Sequence, residues 1–254
     1  MSRSPHLTFT RLAGASMVGA LLVGAAPAAD PLQADPLAVV DECMRQEVAA
    51  EGMPGAALAI GQGGRVVHTL ALGVKHREQG GAVDDETLFQ IGSITKMMTA
   101  AAVMQQVEAG AVDLDARVTT YIPELEVAGP WAANLITIRH LLTHTSGFPD
   151  NWGPLDGRSP REWVADARRL SLEAAPGSFF NYSNPGFSLA GHVVERATGA
   201  DYTSYMRQRV WRPAGLELTT LDPDEVLAHR NWAYGHSRRG RVAPRDVRPP
   251  FAMP

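Results

Sequence analysis

The residues best suited to chemistry are Ser93 and Lys96, which stand three positions apart in Ser93-Ile94-Thr95-Lys96. Lys96 is one of only two lysines in the 254-residue chain, so 21 of its 23 Lys and Arg residues are arginines. A desolvated lysine can lose its proton, whereas arginine stays charged. On a helix this spacing places the amine beside the hydroxyl, where a base activates a serine as a nucleophile. A surface lysine on a helix is the competing interpretation.

A second pair of this kind is Tyr182 and Asn184, in Tyr182-Ser183-Asn184. A tyrosine beside an ammonium group can act as a general base and then as a general acid. An asparagine amide can orient a substrate amide through hydrogen bonds. For either residue alone, a buried tyrosine or a helix-capping asparagine would be the ordinary interpretation. Together, the two pairs predict a serine nucleophile served by an amine, a phenol and an amide.

Local patterns predict the elements that must position these side chains. Two apolar runs, 56–60 and 66–72, flank the glycine-rich segment 61–64 and predict a β-hairpin, which a polar loop over 75–86 follows. A buried helix is predicted to begin near Ser93 and to end at Gly110, so the hydroxyl would lie at its N-terminus, where free N–H groups favour negative charge. Other helices are predicted over 36–50, 138–143, 160–170, 185–197 and 201–211.

Composition and the N-terminus narrow the class of protein. The chain is 45% hydrophobic and 20% charged, which is typical of a globular protein, and its net charge of −4 does not point to nucleic acid. Arg3 and Arg11, then a largely apolar stretch to Ala26, predict a signal peptide over residues 1–28, hence a secreted or periplasmic protein. An uncleaved anchor is the alternative. No other segment is long and apolar enough to span a bilayer, so we expect no stable membrane span after cleavage.

Four other residues with reactive side chains are predicted to be structural. Cys43, the only cysteine, lies in an apolar helical pattern and is expected to be buried. His140 and His144 have the spacing of zinc ligands, but the sequence offers no third ligand, so we predict neither a metal nor another cofactor. Ser146 lacks the Gly-x-Ser-x-Gly surroundings of a nucleophile and is expected to lie in a turn or at a helix end.

Three blocks, in order, resemble the serine β-lactamase and penicillin-binding-protein family. They are Phe89-Gln90-Ile91-Gly92-Ser93-Ile94-Thr95-Lys96, Leu141-Leu142-Thr143-His144-Thr145-Ser146-Gly147 and Pro176-Gly177-Ser178-Phe179-Phe180-Asn181-Tyr182-Ser183-Asn184. The sequence is most similar to the branch of class C β-lactamases, DD-peptidases and related esterases. The resemblance implies the α/β (α+β) fold of that family, a helical subdomain packed on an antiparallel sheet, as one domain over 29–254.

The resemblance also implies roles for the two pairs. Ser93 would form the acyl-enzyme, Lys96 would deprotonate it or tune its base, Tyr182 would shuttle protons, and Asn184 would hold the amide of the acyl side chain. The backbone N–H of Ser93 would be half of an oxyanion hole. The implied reaction is hydrolysis of an amide or ester in a small-molecule or peptidoglycan-derived substrate: a β-lactam, a peptidoglycan peptide or a small ester. The motifs do not separate these substrates, and the oligomeric state stays open.

The chain departs from the family pattern in its third motif. Family members carry Lys- or His-x-Gly on a strand that supplies the second oxyanion donor, and no such sequence follows Tyr182 here. We therefore expect the domain to lack its C-terminal strands and helix, its sheet to be incomplete, and the 254-residue chain alone to be inactive or nearly so. The alternative to an enzyme is a truncated, non-catalytic relative that folds or binds without turnover.

Overall fold

The structure, a computed structural model, describes residues 35–150 and 160–236, with side chains described again from Val164. The predicted signal peptide lies outside these residues. The chain divides after Cys43 into two units, and the sheet and the helices from Thr95 onward belong to the second. Within the described part of the chain, no helix is long and apolar enough to cross a membrane.

Helix α1 spans Pro36–Ala50, as predicted, but the predicted burial of Cys43 within it is wrong. None of its residues, all of which the structure describes, is buried, and Cys43 is exposed. The 3.6-residue apolar period identifies the face that a partner element would cover. The period does not show whether such an element is present, so a prediction from the period alone overestimated the burial of Cys43.

Among the described residues, the sheet has three antiparallel strands in the order β1-β2-β3. Strands β1 (Gly55–Gln62) and β2 (Arg65–His76) form the predicted hairpin around Gly63 and Gly64, both of which have positive φ, as two-residue hairpin turns require. The predicted loop over 75–86 is wrong in part, because β2 continues to His76 and β3 (Gly80–Ala82) pairs with it. Glycines with positive φ at Gly80 and Gly81 let the chain return along β2.

The segment 231–236 fixes the chain that leads into the Ser93 turn. Leu88 donates its N–H to the carbonyl of Asn231 at 2.8 Å and accepts the N–H of Ala233 at 2.8 Å. Tyr234 donates its N–H to the carbonyl of Lys75 in β2 at 3.0 Å. Residues far apart in sequence therefore hold Leu88 in place, five positions before Ser93.

The helical part is built around one central helix, α6 (Asn184–Thr198), in which every residue from Pro185 to Val194 is buried. Ser183 caps its start, with Oγ accepting the N–H of Gly186, and Gly199, with φ 72°, caps its end. The helices in contact with α6 are α2 (Thr95–Glu108), α3 (Val118–Tyr121), α4 (Ile138–Leu142), α5 (Pro160–Ala167) and α7 (Tyr202–Met206). A π-helix (Arg207–Trp211) and α8 (Pro223–His229) follow. This packing gives α6 a fixed N-terminus, where Tyr182 and Asn184 lie.

Helix α2 is covered on one face only, which differs from the prediction of a buried helix. Met98, Ala102 and Val103 belong to the core, whereas Met97 is 68% exposed and Ile94, just before the helix, is 53% exposed. An apolar sequence on all sides of a helix does not indicate which side a neighbour covers. The packing of α2 on α6 decides this, and it also brings Lys96 to Asn184.

Candidate active site

Ser93 lies in a 3₁₀ turn, Gly92–Ile94, that runs directly into α2 at Thr95. The first hydrogen bond of this turn joins the N–H of Ile94 to the carbonyl of Ile91, so the N–H of Ser93 precedes the hydrogen-bonded part of the helix. The side chain of Ser93 is exposed. A solvent-accessible hydroxyl and an N–H at a helix start are thus available on one residue.

Lys96 lies one helical turn later and is half-buried. Its ammonium donates to Ser93 Oγ at 3.3 Å and to Asn184 Oδ1 at 2.6 Å. Nζ is also 4.9 Å from the centroid of the Tyr182 ring and 5.8 Å from that of Phe187, distances at which an aromatic face attracts a cation. The sequence-predicted proximity of Lys96 to Ser93 is therefore present, and tertiary contacts hold the amine on two further sides.

Tyr182 reaches the same hydroxyl from the segment before α6. Its phenol donates to Ser93 Oγ at 2.6 Å, so this oxygen accepts hydrogen bonds from both Tyr182 and Lys96. Asn184, the first residue of α6, faces Lys96 with its amide oxygen. The structure thus brings all four predicted site residues into one cluster. Ser183, between Tyr182 and Asn184, is buried and caps α6, and this cap fixes the chain on both sides of it.

His144, assigned only a structural role by the sequence, is packed directly against this cluster. Its ring stacks on that of Tyr182, with the centroids 4.3 Å apart, and its Nδ1 accepts the N–H of Ser183 at 3.0 Å. Burial and, next, the positive charge of Lys96 lower the pKa of His144, while Asp150 opposes this shift. A neutral imidazole fits its contacts, because Nδ1 must be unprotonated to accept the Ser183 N–H.

His140 and Ser146 have the structural positions that were predicted. His140 closes a capping box with Thr137, since each residue's side chain accepts the backbone N–H of the other, both at 3.2 Å. No group of three or more His, Cys, Asp or Glu side chains within the described ranges is arranged to hold a metal. Ser146 is fully buried, so its hydroxyl cannot reach a substrate.

Sequence reasoning missed Asp150. Its Oδ1 accepts two hydrogen bonds from Asn184, one from the backbone N–H at 3.0 Å and one from Nδ2 at 2.8 Å. Asp150 lies three residues after the block that ends at Gly147, and an exposed aspartate there resembles an ordinary loop residue. The 34-residue separation from Asn184 left no local signal for this contact.

Comparisons with known proteins identify the family to which this chain belongs. The family model described as Beta-lactamase matches residues 40–253. Penicillin-binding protein 4 of Amycolatopsis lactamdurans is 36% identical over 181 residues, 70% of this chain and 47% of that protein. Esterase EstB of Burkholderia gladioli is 34% identical over 195 residues, 70% of this chain and 49% of that one. The chain therefore spans about half the length of these curated relatives.

The fold is also that of solved family members. The octameric penicillin-binding protein homologue from Pyrococcus abyssi superposes with a TM-score of 0.72 and 30% identity, covering 83% of this chain and 50% of that one. The predicted class, a helical subdomain with an antiparallel sheet, is thereby confirmed. A match over most of the sequence and the same fold lead to one conclusion: this chain belongs to the β-lactamase family.

Proposed function

We propose that this protein is a serine hydrolase that cleaves an amide or ester through an acyl-enzyme on Ser93. The observation that carries the proposal is the position of Ser93 Oγ, an exposed hydroxyl within 2.6 Å of the Tyr182 phenol and 3.3 Å of the Lys96 amine. A serine needs an adjacent base to become a nucleophile, and either neighbour can take its proton once it is itself deprotonated.

The proposed reaction has two acyl-transfer steps. Ser93 Oγ attacks the carbonyl carbon, its proton passes to Tyr182 or Lys96, and a tetrahedral oxyanion forms. Collapse of that oxyanion breaks the bond to the leaving group, which takes the proton that Ser93 gave up, delivered by Tyr182 directly or after its transfer from Lys96. A water molecule then repeats the sequence on the ester of Ser93 and releases the free acid. Tyr182 can both accept a proton from Ser93 and return it, because its phenol oxygen lies directly against Ser93 Oγ.

The surrounding groups suit the two ends of such a substrate. The N–H of Ser93 can donate to the oxyanion, and losing a single donor of this kind typically lowers a rate by about 10² to 10³. The amide of Asn184, held on the other side of Lys96, can bind the amide of an acyl side chain. Substrates of this type include β-lactams, peptidoglycan peptides and small esters, and the similarity to a penicillin-binding protein and to an esterase supports this range.

The proposed location is outside the cytoplasm. Positive charge at Arg3 and Arg11, the apolar stretch that follows and the small residues Ala26-Pro27-Ala28 support export and cleavage of residues 1–28. A periplasmic or secreted hydrolase would meet peptidoglycan fragments and β-lactams there.

A non-catalytic relative is the second candidate, and one observation favours it. No Lys- or His-x-Gly follows Tyr182 in the given sequence, which spans about half the length of the curated relatives. A chain that has only the N–H of Ser93 as an oxyanion donor could fold and bind a substrate without turnover. This candidate predicts a folded chain with little or no hydrolysis.

Covalent labelling separates the two candidates. The purified chain is incubated with a fluorescent penicillin and, separately, with a fluorophosphonate, and the adduct is located by peptide mass spectrometry, with Ser93→Ala as control. Labelling at Ser93 that is lost in the control, together with hydrolysis of nitrocefin or a p-nitrophenyl ester, supports the hydrolase. A folded chain that neither probe labels refutes it. Circular dichroism establishes that each sample is folded.

A further inference from the structure

The orientation of the Asn184 side chain is fixed by a hydrogen-bond donor at one end of its amide and an acceptor at the other. Its oxygen lies 2.6 Å from the ammonium of Lys96, and its nitrogen lies 2.8 Å from a carboxylate oxygen of Asp150. An ammonium only donates hydrogen bonds, and an ionised carboxylate only accepts them. Rotating the amide by half a turn would place N–H against N–H and oxygen against oxygen, so both contacts would become repulsive.

Asp150 also accepts a hydrogen bond from the backbone of Asn184. The Oδ1 that accepts from the amide also accepts the backbone N–H of Asn184 at 3.0 Å. This N–H is at the first position of α6, where no carbonyl of the helix can accept it. A carboxylate is also favourable beside the positive end of the helix dipole. One oxygen of Asp150 therefore fixes both the start of α6 and the rotation of the Asn184 amide.

The same arrangement occurs at the chain's other lysine. Lys75 donates to Asn231 Oδ1 at 2.9 Å, and Asn231 Nδ2 donates to Asp84 Oδ1 at 2.8 Å. The hydrogen bond from Asn231, followed by that from Thr87, lowers the pKa of Asp84. In both places a carboxylate accepts a hydrogen bond from an asparagine amide nitrogen, and the amide oxygen accepts one from a lysine ammonium. The chain thus contains an internal reference for the Asp150 arrangement, at a position with no role in the proposed reaction.

We propose that Asp150 is a positioning residue that orients the Asn184 amide and, through it, holds Lys96 beside Ser93. Asp150 contacts neither Ser93 nor a substrate in this role. Its effect on catalysis rests on the proposed function, whereas its effect on the Lys96 ammonium does not. Loss of Asp150 frees the amide to rotate, and Lys96 loses its shorter hydrogen bond.

The two lysines make a direct test possible, since ¹⁵N-lysine labelling of the full chain gives only two ammonium signals in NMR. In Asp150→Ala, we expect hydrogen exchange of the Lys96 ammonium to rise at least about fivefold, as expected for loss of a hydrogen bond to a charged group. The Lys75 signal should stay unchanged. In Asp150→Asn, a side-chain oxygen still accepts both Asn184 donors, so exchange at Lys96 should stay within about twofold of the wild type.

The matched control is Asp84→Ala, which should accelerate exchange at Lys75 and leave Lys96 unchanged. Unchanged exchange at Lys96 in Asp150→Ala, or an equal rise in both Asp150 variants, overturns the inference, because the second result would mean that charge alone acts. If Asp150→Ala does not fold, Asp150→Leu takes its place, because leucine has the branched shape of aspartate but no acceptor: a rise at Lys96 supports the inference and unchanged exchange refutes it. A chain in which Ser93 is never labelled but Lys96 responds as expected would refute only the proposed function.

Discussion

The contact between His144 and Ser183 offers a sharp test of how the site is held together. His144 Nδ1 accepts the N–H of Ser183, a residue only 1% exposed, and its ring stacks on Tyr182. His144 also has φ 56°, in the left-handed region. Two substitutions separate these features. His144→Phe keeps an aromatic ring but removes the acceptor, whereas His144→Asn keeps an acceptor near the same place and tolerates the left-handed backbone.

The expected effect follows from the unmade hydrogen bond. Leaving a buried N–H without a partner costs about 1–3 kcal/mol. For a domain of this size, each kcal/mol corresponds to about 2–4 °C in Tm. His144→Phe should therefore lower Tm by roughly 4–8 °C if the loss is near 2 kcal/mol. His144→Asn should lose less, because it retains the acceptor. Thermal unfolding followed by circular dichroism at pH 7.5 measures both.

The pH dependence provides a second, independent readout. Burial and Lys96 lower the pKa of His144 in the folded protein, so the unfolded chain binds a proton at this residue first as the pH falls. The free energy of unfolding is therefore unaffected by His144 above the ordinary histidine pKa of about 6.5, and it decreases as the pH falls below that value. One such proton contributes a slope of at most about 1.4 kcal/mol per pH unit. His140, whose pKa burial also lowers, adds its own slope and is unchanged in both variants.

The wild type should therefore lose stability more steeply between pH 6.5 and pH 5 than either variant. Equal Tm values for the wild type and His144→Phe at pH 7.5 would show that the Ser183 N–H finds another acceptor. Parallel pH curves for all three proteins would show that His144 protonates as freely in the folded state as in the unfolded one. Either result would refute the reasoning for the interaction concerned.

Three further predictions concern other residues. Lys96→Arg keeps the charge but cannot accept a proton, so the rate of Ser93 labelling by a fluorescent penicillin should fall about 10²- to 10⁴-fold. The control Lys75→Arg should change this rate less than about twofold, and equal rates in Lys96→Arg and the wild type would leave Lys96 no role as a base. The buried hydroxyls of Thr99 and Tyr202 are 2.8 Å apart, and Thr99 Oγ1 also donates to the carbonyl of Thr95 at 3.1 Å. Thr99→Val leaves the Tyr202 hydroxyl without this partner and should cost about 1–2 kcal/mol in denaturant unfolding, Tyr202→Phe should cost less, and the double variant should cost clearly less than their sum; strict additivity would contradict a shared hydrogen bond. The exposed Cys43 thiol should react with Ellman's reagent in the folded chain within about tenfold of the rate in denaturant, and a protected thiol would contradict its exposure.

Sequence alone predicted the elements whose signals are local. The hairpin follows from adjacent glycines that permit positive φ, and α4 begins at its predicted start, Ile138, because the capping hydrogen bond of Thr137 spans only three residues. The end of α6 at Gly199 has the same local origin. The pairing of Ser93 with Lys96 was also predictable, since one helical turn sets their separation.

Tertiary structure decided which faces are covered and what surrounds the predicted residues. The apolar patterns of α1 and α2 did not reveal that Cys43 and Met97 are exposed, because burial depends on neighbours that a periodic pattern does not specify. His144 and Asp150 reach the segment Tyr182–Asn184 across 39 and 34 residues, respectively. Residue types and local spacing thus determined the candidate chemistry of this protein. Only the packing of α6 against α2 and α4 decided how the amine, phenol and amide are held, since these contacts join segments distant in the chain.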